Sequence, residues 1–130
     1  IMGRRTFELA KPDIYKGSKK LRVVITKNPK KYRKLEVAGR LKFTDKQPKQ
    51  ILTDLEKQNY KQALLVGGSE INTLFFRDKL VDEIWLTIEP KIFGNGNDLT
   101  TGQNFDIELK LKSSKRLNTT GTLLLKYEVL

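Results

Sequence analysis

Two adjacent glycines, Gly67 and Gly68, stand between an apolar run and a helical pattern, an arrangement that suits phosphate binding. Ala63 to Val66 is a short continuous apolar run, which is typical of a strand buried on both faces. Over residues 69–79, apolar side chains recur at helical spacing and predict an amphipathic helix. Glycine can adopt positive φ and leaves the backbone bare, so the first N–H groups of that helix can reach an anion. Such turns also occur where a chain only changes direction, so this stretch alone leaves both interpretations open.

Two further predicted strand ends carry groups that bind phosphate. The segment Gly3 to Thr6 combines a glycine, two guanidinium groups and a hydroxyl at the start of a short predicted helix. Thr26 and Lys27 place a hydroxyl and an ammonium group at the end of a β-branched strand. Arginine can hold a phosphate through two parallel hydrogen bonds, and lysine acts as a point charge. A dinucleotide has the shape to lie across all three strand ends. Taken singly, the hydroxyls also suit helix capping and the cations also suit a solvated surface.

The remaining periodicity predicts an α/β fold whose sheet is mostly parallel and has an antiparallel C-terminal edge. The earlier expected elements are a short strand at residues 1–2, strands over residues 21–26, 40–44 and 81–88, and a helix over residues 48–58. Residues 105–112 and 123–129 alternate apolar and polar side chains, which predicts two half-buried strands. We expect these two strands to pair as a long hairpin through residues 113–121.

The length of 130 residues suits one domain spanning residues 1–130. The sequence contains neither cysteine nor histidine, so it excludes disulfides, thiolate metal sites and histidine bases. Any chemistry must therefore depend on carboxylates, lysines, tyrosines, the backbone or a bound cofactor. No pattern identifies a catalytic side chain, and no metal site is expected.

The formal charge of +11 favours anionic partners. Lysines are interleaved with acidic residues, and no basic stripe carries the regular aromatic residues of a single-strand-binding surface. Only the net charge supports a nucleic-acid-binding module. No apolar run approaches the roughly 20 residues of a membrane span, and the first residues lack the pattern of a signal peptide. We therefore expect a soluble, cytoplasmic protein that binds neither membranes nor nucleic acids.

Three segments, in their order and spacing, resemble the dihydrofolate reductase superfamily. They are residues 2–8 (MGRRTFE), 24–28 (VITKN) and 66–72 (VGGSEIN). The stretches 80–96 and 121–127 are more similar to one branch, the reductase domain of riboflavin biosynthesis. The likeness covers nearly the whole chain. It implies a three-layer α/β/α fold with a mixed sheet, and it implies a homodimer.

The resemblance also implies which residues bind the cofactor NADPH. By position, the residues expected to bind the phosphates near the first helix are Gly3, Arg4, Arg5 and Thr6. Those expected to bind the adenosine 2′-phosphate are Thr26 and Lys27. Those expected to bind the pyrophosphate are Gly67, Gly68, Ser69, Glu70 and Ile71. Contact with the 2′-phosphate would favour NADPH over NADH.

The family reaction is hydride transfer from NADPH, and the branch implies a phosphoribosylaminopyrimidine as acceptor. The expected substrate is 5-amino-6-(5-phosphoribosylamino)uracil or its 2,5-diamino analogue. A pterin, as in dihydrofolate reductase, is the alternative substrate, and a non-catalytic nucleotide-binding domain is the alternative of another class. Some fused relatives carry a zinc deaminase domain, which needs His and Cys ligands, so deaminase activity is not expected here.

Two departures from the family pattern affect these expectations. The family domain begins some tens of residues upstream, with elements that help form the substrate pocket and the nicotinamide end. Because their absence would expose a sheet edge or an apolar groove, we expect this chain to be part of a longer gene product. The other interpretation is a truncated relative that keeps the cofactor half. Many riboflavin reductases have a glutamate before the double glycine, where this chain has Val66, and this weakens the substrate assignment more than the cofactor assignment.

Overall fold

The computed structural model describes residues 1–10, 19–102 and 104–130. In chain order its elements are β1 (Met2–Gly3), α1 (Arg4–Ala10), β2 (Arg22–Ile25), a 3-10 helix (Pro29–Leu35), β3 (Leu41–Thr44), α2 (Pro48–Lys57), α3 (Ser69–Arg77), β4 (Glu83–Ile88), β5 (Leu109–Arg116) and β6 (Leu123–Val129). Within these three ranges, no helix combines the length and the apolar character that crossing a membrane requires.

The strands β1, β2 and β3 form a parallel sheet in that order. Met2, Val24 and Phe43 stand opposite one another across the three strands, and all three are buried. Phe7 of α1 and Tyr32 of the 3-10 helix cover this row. The ring of Phe43 meets Phe7 edge-on at 5.0 Å and stacks on Tyr32 at 4.9 Å. The main core therefore lies between one face of the parallel sheet, α1 and the 3-10 helix.

Helix α2 lies against the other face of this sheet. Ile51 is buried, and with Val23 and Thr44 of the sheet it lines a small cavity. Val23 precedes the core residue Val24 in β2, so the two side chains point to opposite faces. Pro48 occupies the first turn of α2, as predicted. The parallel sheet is therefore the middle of three layers, which confirms the expected fold class.

The apolar run at residues 63–66 is an extended segment beside β1. The N–H of Val66 donates to the carbonyl of Ile1 at 2.9 Å, and the nitrogen of Ile1 donates to the carbonyl of Leu64 at 2.7 Å, which is the pattern of a parallel pair. The side chains of Leu64 and Val66 are 59% and 60% exposed. The prediction of a strand buried on both faces is therefore wrong for the described chain. Apolar composition predicts extended backbone here, but it does not say which neighbours cover the side chains.

The remaining strands form an antiparallel sheet in the order β4-β6-β5. Strands β5 and β6 are the predicted hairpin, and β4 pairs with β6 from Glu83 to Ile88. β5 begins at Leu109 and not at residue 105. Phe105 lies before the strand and contacts α3, where its ring centroid is 6.3 Å from that of Phe76. The prediction of parallel strands followed by antiparallel C-terminal strands is thus confirmed, and the two kinds of strand form two separate sheets.

The two faces of the antiparallel sheet differ in polarity. One, called the apolar face below, carries Ile84, Leu86, Ile88, Leu109, Leu111, Leu123, Leu125, Tyr127 and Val129. Its side chains are only partly covered, with Leu86 38% and Leu111 53% exposed. On the opposite face the ammonium of Lys126 lies 3.6 Å from the ring centroid of Trp85. Hydrophobic side chains at the surface of this sheet are therefore concentrated on one side.

Replacement of Phe7 by alanine should destabilise the fold strongly, because Phe7 is fully buried and packs against Phe43. We expect a loss of about 3–5 kcal/mol in the free energy of unfolding, measured by urea denaturation. The matched control is Phe93→Ala, since Phe93 is 73% exposed, and it should change stability by no more than about 0.5 kcal/mol. Equal effects of the two substitutions would contradict the position of the core.

Candidate functional site

The parallel sheet brings the three predicted strand ends together. Gly3 stands opposite Ile25 in the register of β1 and β2, so Thr26 follows beside the start of α1. On the other side, the N–H of Gly3 donates to the carbonyl of Gly67 at 2.8 Å. The order across the sheet edge is therefore the Gly67 turn, then Gly3, then Thr26. All three segments lie at the carboxyl end of the parallel strands, where open α/β sheets bind ligands.

The glycines allow this close approach. A Cβ atom on Gly3 would lie 2.9 Å from Cγ1 of the buried Ile71. Gly67 has φ of +88°, and a Cβ there would lie 3.3 Å from the side-chain amide of Asn72. A Cβ on Gly68 would be 3.9 Å from the hydroxyl oxygen of Thr6. The start of α1 and the start of α3 are therefore in direct contact through residues without side chains.

The first turn of α3 presents bare backbone. The cap residue Gly68 has no side chain, and its carbonyl accepts from the N–H groups of Ile71 and Asn72, both at 3.0 Å. No described residue accepts a hydrogen bond from the backbone N–H of Ser69 or Glu70, which are the donors that a helix start leaves unpaired. These two N–H groups suit an anion such as a phosphate.

Both arginines of the first segment are paired with carboxylates. Nη1 of Arg4 donates to Oε2 of Glu8 at 2.7 Å, one turn along α1. Nη1 of Arg5 lies 3.5 Å from Oε1 of Glu70, at the start of α3, and both of these side chains are largely exposed. Exposed ion pairs of this kind contribute little to stability. Each guanidinium faces its carboxylate through Nη1, so other N–H donors of Arg4 and Arg5 are left for a phosphate at the predicted site.

The second strand end offers one exposed cation. Thr26 is buried, with 8% of its surface exposed, and its hydroxyl accepts from the N–H of Asn28 at 3.3 Å. Lys27 is exposed. The side chain of Asn28 in turn accepts from the N–H of Lys31 at 3.4 Å and caps the 3-10 helix. Of the two residues expected to bind the 2′-phosphate, Lys27 thus has a solvent-accessible ammonium group. The hydroxyl of Thr26 instead stabilises the turn through its hydrogen bond with Asn28.

A connection that the sequence did not predict holds the segment 98–101 against α3. The hydroxyl of Ser69 donates to the carbonyl of Asp98, and Nδ2 of Asn72 donates to the carbonyl of Leu99 at 2.9 Å. The hydroxyl of Thr73 accepts from the N–H of residue 101 at 2.8 Å. Ser69, predicted to bind pyrophosphate, therefore has its hydroxyl bonded to a carbonyl. The signal in the sequence was the spacing of three polar side chains at i, i+3 and i+4 along one helical face.

The charge and donor set at this edge suits a phosphorylated nucleotide. It comprises the bare N–H groups of α3, glycines where a Cβ would crowd its neighbours, and the cations of Arg4, Arg5 and Lys27. Over the described ranges there is no group of three acidic, His or Cys side chains arranged to hold a metal ion.

The profile of the family described as the RibD C-terminal domain matches residues 2–123. The chain belongs to this family. The match includes all three strand ends of the site and the hairpin up to the first residue of β6. Among curated proteins, YwjB of Bacillus subtilis, an uncharacterised protein, is 25% identical over 118 residues, which are 89% of this chain and 66% of YwjB.

Several solved structures share the fold. A Shewanella protein described as a candidate riboflavin biosynthesis protein superposes with a TM-score of 0.76 at 19% identity, over 99% of this chain and 72% of its own. The deaminase/5-amino-6-(5-phosphoribosylamino)uracil reductase of Thermotoga maritima also gives 0.76, at 18% identity, over 99% of this chain and 44% of its own. A pyrimidine reductase-like protein of Corynebacterium diphtheriae gives 0.62 at 20% identity, over 83% of this chain and 50% of its own.

Replacement of Gly3 by alanine should disturb the contact between α1 and α3, because the new Cβ would lie 2.9 Å from a buried Ile71 atom. We expect a loss of about 1–3 kcal/mol in the free energy of unfolding, as for other overpacked sites. Gly96→Ala is the control, since nothing lies within 4 Å of a Cβ there, and it should not destabilise the protein. The free energy of unfolding of both variants can be measured by thermal or urea denaturation. If the two variants are equally stable, the contact with Ile71 does not require glycine at position 3.

Proposed function

We propose that this RibD C-terminal domain is an NADPH-dependent reductase of the riboflavin pathway type. The observation that carries the proposal is the row of three strand ends, in which bare backbone N–H groups and three cations line one edge of the parallel sheet. Membership of the family supports the reaction class. A deaminase/reductase that acts on a phosphoribosylaminopyrimidine is among the proteins with the same fold.

Each segment has a distinct task in this proposal. The N–H groups of Ser69 and Glu70 would receive the pyrophosphate, and Gly68 leaves room for it because it has no side chain. Arg4 would hold a phosphate with charged hydrogen bonds. The exposed Lys27 would meet the 2′-phosphate and so distinguish NADPH from NADH. When bound, NADPH supplies the hydride, and the protein positions the cofactor and excludes water from it.

The proposed substrate is 5-amino-6-(5-phosphoribosylamino)uracil or its 2,5-diamino analogue, whose ribosyl part gains a hydride and a proton to become ribityl. The sequence likeness of residues 80–96 to the riboflavin branch supports this choice over a pterin. Val66, in place of the glutamate that many riboflavin reductases have, leaves the pterin as the alternative. Turnover assays with the two substrate classes distinguish them.

A non-catalytic nucleotide-binding domain is the second candidate. It is favoured by the groups that the described strand ends present, which are backbone N–H groups and cations, because these bind phosphate without taking part in proton transfer. If this candidate is correct, the chain binds NADPH saturably but does not oxidise it when a pyrimidine or pterin acceptor is added.

Calorimetric titration of the chain should show saturable binding of NADPH and weaker binding of NADH. In Lys27→Ala the preference for NADPH should fall about tenfold, as expected for the loss of one charged hydrogen bond. Lys115→Ala is the matched control, because Lys115 is an exposed lysine on β5 of the other sheet. It should leave both affinities unchanged. A folded chain that binds neither nucleotide would refute the proposal.

We also propose that the protein forms a homodimer through the apolar face of the antiparallel sheet. Five of its leucine and isoleucine side chains are between 37% and 53% exposed in the single chain: Leu86, Ile88, Leu109, Leu111 and Leu123. A contiguous exposed apolar surface of this kind is typical of an interaction site. A second copy would cover it with the same surface, as a two-fold interface requires.

The dimer can be tested by placing a charge on either side of the sheet. Leu111→Glu introduces a carboxylate into the apolar face and should convert a dimer into a monomer, as measured by light scattering after size exclusion. Thr87→Glu introduces the same charge on the opposite face and should leave the dimer intact. A wild-type chain that is monomeric at micromolar concentration would contradict this assembly.

A further inference from the structure

One carboxylate connects a buried tyrosine to the first arginine of the site. The hydroxyl of Tyr32 donates to Oε1 of Glu8 at 2.6 Å, and Nη1 of Arg4 donates to Oε2 at 2.7 Å. Both oxygens of Glu8 are therefore engaged, one from the 3-10 helix and one from α1. Arg4 also acts to lower the pKa of the Tyr32 hydroxyl, against the larger raising effect of the hydrogen bond to Glu8. The three side chains form a closed cluster beside the phosphate-binding edge.

Tyr32 anchors this cluster to the hydrophobic core. It is 6% exposed, and its ring stacks on Phe43 of β3 with an angle of 15° between the planes. Phe43 itself is 4% exposed and belongs to the main core. The packed core therefore fixes the position of the Tyr32 hydroxyl. The short hydrogen bond from this hydroxyl in turn restrains the carboxylate of Glu8.

We propose that Tyr32 and Glu8 are positioning residues that hold the guanidinium of Arg4 ready for a cofactor phosphate; this rests on the function proposed above. The Arg4 side chain is 41% exposed, so a ligand can reach it while it stays bonded to Glu8. Guanidinium has five N–H donors, and one of them is used in the bond to Oε2. An arginine that is ordered before binding loses less side-chain freedom on binding, which favours affinity.

The charges around Glu8 keep the cluster intact near neutral pH. Three groups face its carboxylate: Arg4 on its own helix, and Tyr32 and Lys31 on the 3-10 helix. They hold the pKa of Glu8 below its usual value, with the Tyr32 hydrogen bond as the main cause. The same bond raises the pKa of the Tyr32 hydroxyl. Glu8 is thus ionised and Tyr32 neutral at pH 7. The cluster is lost as pH falls through the lowered pKa of Glu8, and its Tyr32 hydrogen bond is lost as pH rises through the raised pKa of the Tyr32 hydroxyl.

Tyr32→Phe tests the proposal with little change to the core, because phenylalanine keeps the ring that stacks on Phe43. The Kd for NADPH should rise about three- to tenfold, as expected for the loss of one hydrogen bond. In an Arg4→Ala background the same substitution should change the Kd by less than about twofold, since the residue being positioned is gone. In a Lys27→Ala background the full effect should remain. A general structural effect of Tyr32→Phe would instead weaken binding equally in all three backgrounds, and this would overturn the proposal.

The order of Arg4 can be measured without a cofactor. In the free protein the heteronuclear NOE of the Arg4 Nε–H should indicate a rigid side chain, and it should fall in Tyr32→Phe while that of Arg5 stays unchanged. An Arg4 that is already mobile in the wild-type protein overturns the positioning role. A wild-type chain with rigid Arg4 but no NADPH binding would refute the proposed function and leave the positioning role standing.

Discussion

The hydrogen bond from the Gly3 N–H to the Gly67 carbonyl is the constraint on which the site depends. It joins the turn before α1 to the turn before α3, at a place where a Cβ on Gly3 would lie 2.9 Å from Cγ1 of Ile71 in α3. Two helix starts that are far apart in the sequence thereby open towards the same edge of the parallel sheet. Thr26 joins them through the register of β1 and β2. Cofactor binding by this chain would depend on backbone geometry first and on charge second.

The net charge of +11 does not by itself locate the site. Arg4 and Arg5 have carboxylate partners, and the partner of Arg5, Glu70, belongs to the neighbouring helix start. These acidic residues reduce the positive field at the edge of the sheet. The surface charge would therefore attract polyphosphates in general, whereas the glycine turns select one that can approach the backbone closely.

The sequence predicted the secondary structure well where the hydrophobic periodicity is clear and residues such as proline or glycine mark the ends of an element. Pro48 and the apolar stripe after it predicted α2, and the alternation over residues 123–129 predicted β6. The three strand ends were also predicted, because parallel strands place their carboxyl ends together. The exposure of Leu64 and Val66 was not, since it depends on which elements lie beside residues 63–66. The contact of Tyr32 with Glu8 joins residues 24 positions apart through the packed core, and no local pattern carries that information.

The irregularity in β5 has a consequence for how the chain can change in length. Leu111 pairs with Tyr127 and Ser113 with Lys126, so Lys112 is an extra residue in the ladder, and its ammonium bonds to Glu83. Beyond it, even-numbered residues such as Ser114 stand on the side that Leu109 and Leu111 occupy before it. Deletion of this one residue would restore regular pairing and keep both leucines on their side of the sheet. Homologous hairpins can therefore differ by one residue at this position and still bury the same surface.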